Sequence, residues 1–281
     1  MTVDARRLMG LRIPPRSVTF ADRDVMLYAA AVGAGAQGGS SDLEFVYEDG
    51  LRILPSFTNI LAFDDSWLGA GGVDLSQVVH GSLDLTFHAA PTLSDDAHVT
   101  SKISGLVDKG EGRGAIIVQE TEIGQNGRQV CTSVSSLFVR GGGGFGGSVG
   151  KEPCNVKLPE RAPDVAVHVP TARNQAILFR LLGDRNPLHV DPAAARAAGF
   201  DRPILHGACT FGISCLTIIR SFCEGKPQRL ARLAARFVGP LMPGQALHFL
   251  FWRDGPDILF KAVAADSLAP VLDGGMAQVR D

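Results

Sequence analysis

The stretch "GDRNPLHVDPAAARAAGF" (183–200) crowds Asp184, Asn186, His189 and Asp191 around two prolines. A carboxylate beside an imidazole is the usual equipment for general acid–base chemistry near neutral pH. Asn186 adds an amide able to orient a water or fix the imidazole. Pro187 biases Asn186 toward an extended backbone. The segment therefore reads as a rigid, non-helical arc, closed off from the preceding run by Gly183, that can turn Asp184 and His189 toward one cavity. Asp191 has a local structural task. With Pro192 behind it and an alanine-rich run following, it reads as a helix N-cap.

A second stretch, "DRPILHGACTFGISCLTIIRSF" (201–222), supplies an electrophilic element. An apolar helix should begin near His206-Gly207. The Gly207 N–H would then stand free at the positive end of the helix dipole, suited to an oxyanion on a polarised carbonyl. His206 reads as a cap or packing residue. A metal set of Asp184, His189, Asp191 and His206 has no recognised ligand spacing, and no metal is expected.

The elements that must hold these residues repeat weakly along the chain. "TFADRDVMLYAAAVGAG" (19–35) resembles "TARNQAILFRLLGDRNP" (171–187), with Tyr28 matching Phe179 and Gly33 matching Gly183. Strand-like segments follow in each half, at 82–91, 97–110, 113–127 and 128–141, and then at 229–244, 245–255 and 257–266. Lys109-Gly110, Asn126-Gly127 and Asp254-Gly255 are hairpin signals and predict antiparallel pairing. The reading is a tandem α+β unit, each half a sheet with a helix packed on it. The halves are taken as 1–150 and 151–281, joined by the Gly- and Pro-rich stretch 140–164. Gly141, Gly143 and Gly146 satisfy GxGxxG by count. No helix follows, and Gly150-Lys151 lacks the P-loop spacing, so the stretch reads as a linker. The polar constellation occurs only after Gly183, which marks it as a site.

Composition narrows the function classes. The chain has 281 residues, 45% hydrophobic and 20% charged, with net charge −2 and mean hydropathy +0.13. No Lys/Arg block points to nucleic acid or to an anionic membrane. No apolar run approaches a membrane span. The start "MTVDARRLMGLRIPP" lacks a signal core, and the end Val279-Arg280-Asp281 is not a peroxisomal address, so a cytoplasmic location is expected. Five cysteines without a CxxC pair read as reduced and buried.

The motif Gly183-Asp184-x-Asn186-Pro187-Leu188-His189-x-Asp191-Pro192, followed by "GFDRPILHGACTFG" (199–212), resembles the MaoC-like or hydratase 2 family. The likeness extends over "FVYEDG" (45–50), "VVHGSLDLTFHAAP" (78–91), "VDKGEG" (107–112) and "ARFVGPLMPGQ" (235–245). The resemblance implies a double hot-dog fold, with a long central helix wrapped by a curved antiparallel sheet in each half. It implies (R)-specific hydration of trans-2-enoyl-CoA, or dehydration of the (3R)-hydroxyacyl-CoA. In that reading Asp184 and His189 are the acid–base pair, Asn186 positions the water, and the Gly207 N–H binds the thioester oxygen. His80, Gly81, Lys109 and Phe237 match binding positions, and Glu48 matches an acidic position of structural or indirect role. CoA is part of the substrate, so no cofactor is implied. Relatives often dimerise, and a homodimer is expected. Gly33, Gly35, Gly38 and Gly39 suggest a loosened first-half segment that admits medium, long or bulky acyl chains. The competing readings are a hot-dog thioesterase, an acyl-carrier-protein dehydratase and a non-catalytic acyl-CoA-binding subunit.

Overall fold

A computed structural model describes residues 2–36 and 42–280. Gly38 and Gly39, invoked above, lie outside the described residues. The first half carries strands β1 (Arg16–Val18), β2 (Val78–Phe87), β3 (Ala97–Asp108), β4 (Ala115–Gln125), β5 (Arg128–Val139) and β6 (Val149–Gly150). The second carries β7 (Val165–Val169), β8 (Leu230–Phe237), β9 (Leu247–Asp254), β10 (Asp257–Ala264) and β11 (Pro270–Val279). All pair antiparallel in one sheet of order β1-β3-β4-β5-β2-β8-β11-β10-β9-β7, with β6 on β3. The order mirrors itself about the β2–β8 seam, since β1, β3, β4, β5 and β2 correspond to β7, β9, β10, β11 and β8. The repeat faintly visible in the sequence is thus a repeat of topology. At the seam, Ser82–Thr86 pairs with Arg236–Arg232. Asp84 clamps it by accepting two bonds from the Arg232 guanidinium at 2.9 and 2.6 Å.

The three hairpins fall at their turn signals, where Asp108 meets Ala115, Gln125 meets Arg128 and Asp254 meets Asp257. No strand is expected from the sequence over 270–279 or 165–169, yet β11 and β7 form there. Two glycines interrupt the first: Gly275 lies under the Phe260 ring, and the pairing with β8 shifts register between Asp273 and Met276. The second is a short edge strand beside a proline-rich segment. Nor is 140–164 a free linker. Its glycine loop folds back on β3, and the Asp108 carboxylate accepts N–H bonds from Gly110, Gly144, Gly146 and Gly147. Those bonds hold the Asp108 carboxyl down to about 2, so the loop's donors serve the protein itself.

The helices are α1 (Ala5–Met9), α2 (Asp22–Ala31), α3 (Leu43–Val46), α4 (Thr58–Ala62), α5 (Trp67–Ala70), α6 (Gln175–Arg180), α7 (Pro192–Ala197) and α8 (Gly207–Phe222). Here the halves differ. The second half has the long central helix α8, buried from Cys209 to Ile219. Where the first half should hold its counterpart, the chain forms a 3-10 turn (Pro55–Phe57) and the short pieces α4 and α5. One core runs through both halves and joins Tyr28, Phe57 and Leu83 to Phe211, Phe249 and Phe260. The matched aromatics of the repeat meet in it, with Tyr28 and Phe179 ring centroids 6.2 Å apart. All five cysteines are free; four are buried, and Cys154 is half-exposed beside Arg232. No helix among the described residues is long and apolar enough to cross a membrane.

Candidate active site

The motif loop is built by its own side chains. The run after α6 closes at Gly183, whose φ of +127° is open to glycine and strained for other residues. Asp184 Oδ1 accepts the Asn186 N–H at 3.2 Å, and Asn186 Oδ1 accepts the Leu188 N–H at 3.0 Å. Asn186 is extended, with φ −53° and ψ 123°. The expected non-helical arc is in fact a single 3-10 turn, Pro187–His189, because proline is well suited to the first position of a turn. Asp191 Oδ1 then accepts the Ala193 N–H at 2.8 Å and caps α7. Asp191 is accordingly a cap and stands apart from the ligand-type cluster. Asn186 also uses its side-chain oxygen as a cap, which leaves the NH₂ face of its amide for other partners.

His189 is buried and its Nδ1 lies 2.8 Å from the Ile204 carbonyl. A carbonyl only accepts, so Nδ1 carries the proton and Nε2 keeps a free lone pair. Burial pushes the imidazole below its usual range, against the opposing effects of the Ile204 bond and the Asp184 charge. Beneath it lies His206, 1% exposed, with the two rings stacked at 3.7 Å and 25°. His206 has the backbone position of an N-cap, yet its side chain makes no cap bond. Its Nε2 instead reaches back to the Asp184 carbonyl at 3.3 Å. Burial drives its pKa down to about 3, and Nδ1 has no partner among the described residues. His206 is thus a neutral prop under the Asp184–His189 pair. The sequence reading gave it less than this; the signal was an imidazole directly before the helix-opening glycine.

Asp184, His189 and His206 offer ligand atoms all within 4.8 Å of one another. The rings stack, however, so their in-plane lone pairs lie in nearly parallel planes rather than meeting at one Zn–N distance, roughly 2.0–2.1 Å. The cluster fits proton transfer better than tetrahedral ligation.

The first half closes the site from the other side. His80 on β2 lines the same cavity as Asp184, and burial depresses its pKa to about 4. Its Nε2 lies 2.9 Å from Ser135 Oγ, and its ring centroid is 4.6 Å from that of Phe237. Phe237 in turn packs on Gly207. A Cβ there would sit 3.1 Å from Phe237 Cδ1, so glycine permits the close approach. The Gly207 N–H opens α8 and has no acceptor among the described residues. Asp184, His80, Phe237 and Gly207, distant in sequence, are therefore contiguous. Gly81 occupies the irregular point of the β2–β5 pairing, against Ser136. Lys109 is exposed on the β3–β4 turn and does not line the cavity. Glu48 is exposed in the turn after α3, also away from it.

The cavity measures about 700 Å³, within the usual ~300–1,000 Å³ of small-molecule sites. It runs from the motif loop between the sheet and the short pieces α4 and α5, past Asn59, Ile60, Phe63 and Leu68. The sequence suggests such a space near Gly33, Gly35, Gly38 and Gly39; of these, the described Gly33 and Gly35 do not line this cavity. Asp42 ties down the Gly35 N–H at 2.8 Å and pairs with Arg220 of α8, so the described part of that segment is anchored. The space opens instead where the long helix is missing.

The chain matches the MaoC like domain over residues 155–269 and the MFE-2 hydratase 2 N-terminal domain over residues 18–141. It is 36% identical over 272 residues to the enoyl-CoA hydratase ChsH3 of Mycobacterium tuberculosis, covering 94% of each chain. Among solved structures it resembles a MaoC-like dehydratase from Phytophthora capsici, with TM-score 0.88, 27% identity and 99% and 100% coverage. A conserved hypothetical protein of Mycobacterium tuberculosis described as a double hotdog fold shares the fold alone, with TM-score 0.59, 15% identity and 96% coverage of each chain. With matching domains in each half, a mirrored double hot-dog sheet and a relative of this identity over nearly its whole length, the chain belongs to the MaoC-like, hydratase 2 family.

Proposed function

We propose that the protein hydrates trans-2-enoyl-CoA thioesters reversibly to (3R)-hydroxyacyl-CoA, with Asp184 and His189 as its acid–base pair. Family membership makes the chain a hydro-lyase. What supports the finer reading is the closeness of Asp184 and His189, whose ligand atoms lie within 4.8 Å of each other, with Asp184 lining the cavity and the Gly207 N–H opening the neighbouring helix α8. The thioester oxygen is held by the Gly207 N–H and the dipole of α8. His189 Nε2 takes a proton from water as its oxygen bonds to C3. The π electrons move to C2 and the thioester oxygen, and the Asp184 carboxylate faces the imidazolium so formed. The proton stays within the pair and passes to C2, so the sum is addition of one water. His206 holds the pair from below, and His80 and Phe237 flank the reacting atoms.

In this reading residues 151–281 carry the chemistry, and residues 1–150 wall the acyl chain. The cavity volume supports medium, long or bulky acyl groups, and light scattering should report a homodimer. The direct test is loss of enoyl absorbance across a panel of chain lengths, coupled to dehydrogenases specific for the (3R) or (3S) alcohol. Turnover of the (3S) coupling alone would overturn the assignment. Release of free CoA thiol would indicate a thioesterase, and constant enoyl absorbance a non-catalytic binder.

A further inference from the structure

The inner face of the first-half sheet is polar where an acyl pocket is ordinarily greasy. On β4 and β5 the inward positions run Ile117, Gln119, Thr121, Ile123 and Cys131, Ser133, Ser135, Leu137. Gln119 stands opposite Ser135, and Thr121 opposite Ser133. Gln119, Thr121 and Ser133 are only 7%, 3% and 3% exposed, yet all line the cavity with Asn59. Buried polar side chains normally find a partner, since leaving one unmet is costly. Here the partners are incomplete. Thr121 shares a 2.9 Å bond with Ser101, and Gln119 Nε2 makes only a 3.5 Å contact to Thr121. Ser133 Oγ and Gln119 Oε1 have none among the described residues, and neither atom is sealed from the cavity.

The stripe starts at the reacting end and leads away from it. His80 bonds Ser135, Ser135 faces Gln119, and the next rung holds Thr121 and Ser133. Two strand spacings separate β2 from β4, on the order of 10 Å. We propose that the acyl group this cavity takes carries a neutral oxygen function, a hydroxyl or carbonyl, on its distal part, received by Gln119, Thr121 and Ser133. Amide and hydroxyl side chains both donate and accept, so either function is satisfied. A charged tail is not. Asp64, Asp65 and Asp184 face the cavity against Arg185 alone, which opposes a carboxylate. The proposal rests on the hydratase reading for the position of the thioester.

The test compares trans-2-decenoyl-CoA with the same thioester bearing a hydroxyl at successive distal carbons. Wild-type kcat/KM should favour at least one hydroxylated chain by roughly tenfold, the size expected when one buried hydrogen bond is made or lost. A chain ending in a carboxylate should react poorly. Thr121→Val combined with Ser133→Ala, or Gln119→Leu, should abolish the preference while leaving turnover of the plain chain at or above its starting value. A parallel calorimetric titration uses decanoyl-CoA and its hydroxylated counterpart, which need no chemistry, and should show the same preference. Absence of that preference at every position in wild type overturns the inference. So does equal loss on plain and hydroxylated chains in the variants, which would assign the stripe to the CoA moiety or to folding. Binding preference without any hydration would overturn the hydratase reading alone.

Discussion

After α2 the first half turns at Gly33 into Ala34, Gly35 and Ala36; after α6 the second turns at Gly183 into Asp184, Asn186 and His189. The two turns begin matching segments of a mirrored sheet, and their aromatic partners touch. One is polar and precedes a long helix with a free N-terminus. The other is fastened by Asp42 and is followed by the short pieces α4 and α5, beside which the cavity lies. In the proposed function the two halves of this repeated fold do different work. On the proposed reading, chemistry uses a rigid loop over a helix dipole in the second half, while the first half, without the long helix, leaves room for the acyl chain.

The sharpest way to break this division is to remove the polar loop's groups. Asp184→Asn and His189→Ala should each lower kcat by roughly 10²-fold or more, because positioned proton transfer contributes 10²–10⁴. The double variant should lose far less than the product of the two, since both groups act on one water. Substitutions at Ala34 and Ala36, in the matching loop, should leave kcat within roughly a factor of two. Steady-state hydration rates with a thermal melt for each variant check the contrast. Comparable losses from both loops would contradict it.

The helix end comes next in size. Gly207→Ala pushes a methyl against Phe237 and should shift the N–H that the proposed mechanism sets against the thioester. The expected loss in kcat is about tenfold or more, as sub-ångström misplacement of a donor is costly. Full activity would release Gly207 from its role.

The smallest effect is on acid stability. His80, His189 and His206 all have folded-state pKa values below the ordinary 6.5, with His80 near 4 and His206 near 3. The unfolded chain therefore binds more protons between those values and 6.5, so stability is full above pH 6.5 and falls as pH drops toward 4. Melting temperature across pH 8 to 4 should show this slope. His206→Phe, which keeps the stack and removes one of the three titrations, should reduce it. An unchanged slope would mean that the imidazole is already charged in the fold.

Much of this was legible in the residues. Hairpins announced themselves by Lys109-Gly110, Asn126-Gly127 and Asp254-Gly255, because those dipeptides accept the backbone angles a tight turn needs. The motif's polar residues were visible as a cluster. Lys109 and Glu48 were not placed at the cavity, since motif likeness carries no distance. The stacking of His206 on His189 is a tertiary fact between segments that a single strip of sequence does not order. The pocket's position was hidden for a similar reason: glycines mark where a chain can loosen, and they do not say where a long helix will be missing. The polar stripe could have been seen. Gln119 and Thr121 alternate with Glu120 and Glu122, so neither face of that strand is apolar, which is unusual beside a core.

In the proposed mechanism one loop delivers both proton transfers. Asp184 and His189 then reach the planar enoyl system from one side, with its carbonyl fixed by Gly207. Hydration of trans-2-decenoyl-CoA in deuterated water, followed by NMR assignment of the product, reads this directly. The expected product is a (3R) alcohol whose new C2 deuterium entered from the same face as the oxygen. A product of anti addition, or a C2 label spread over both faces, would contradict it.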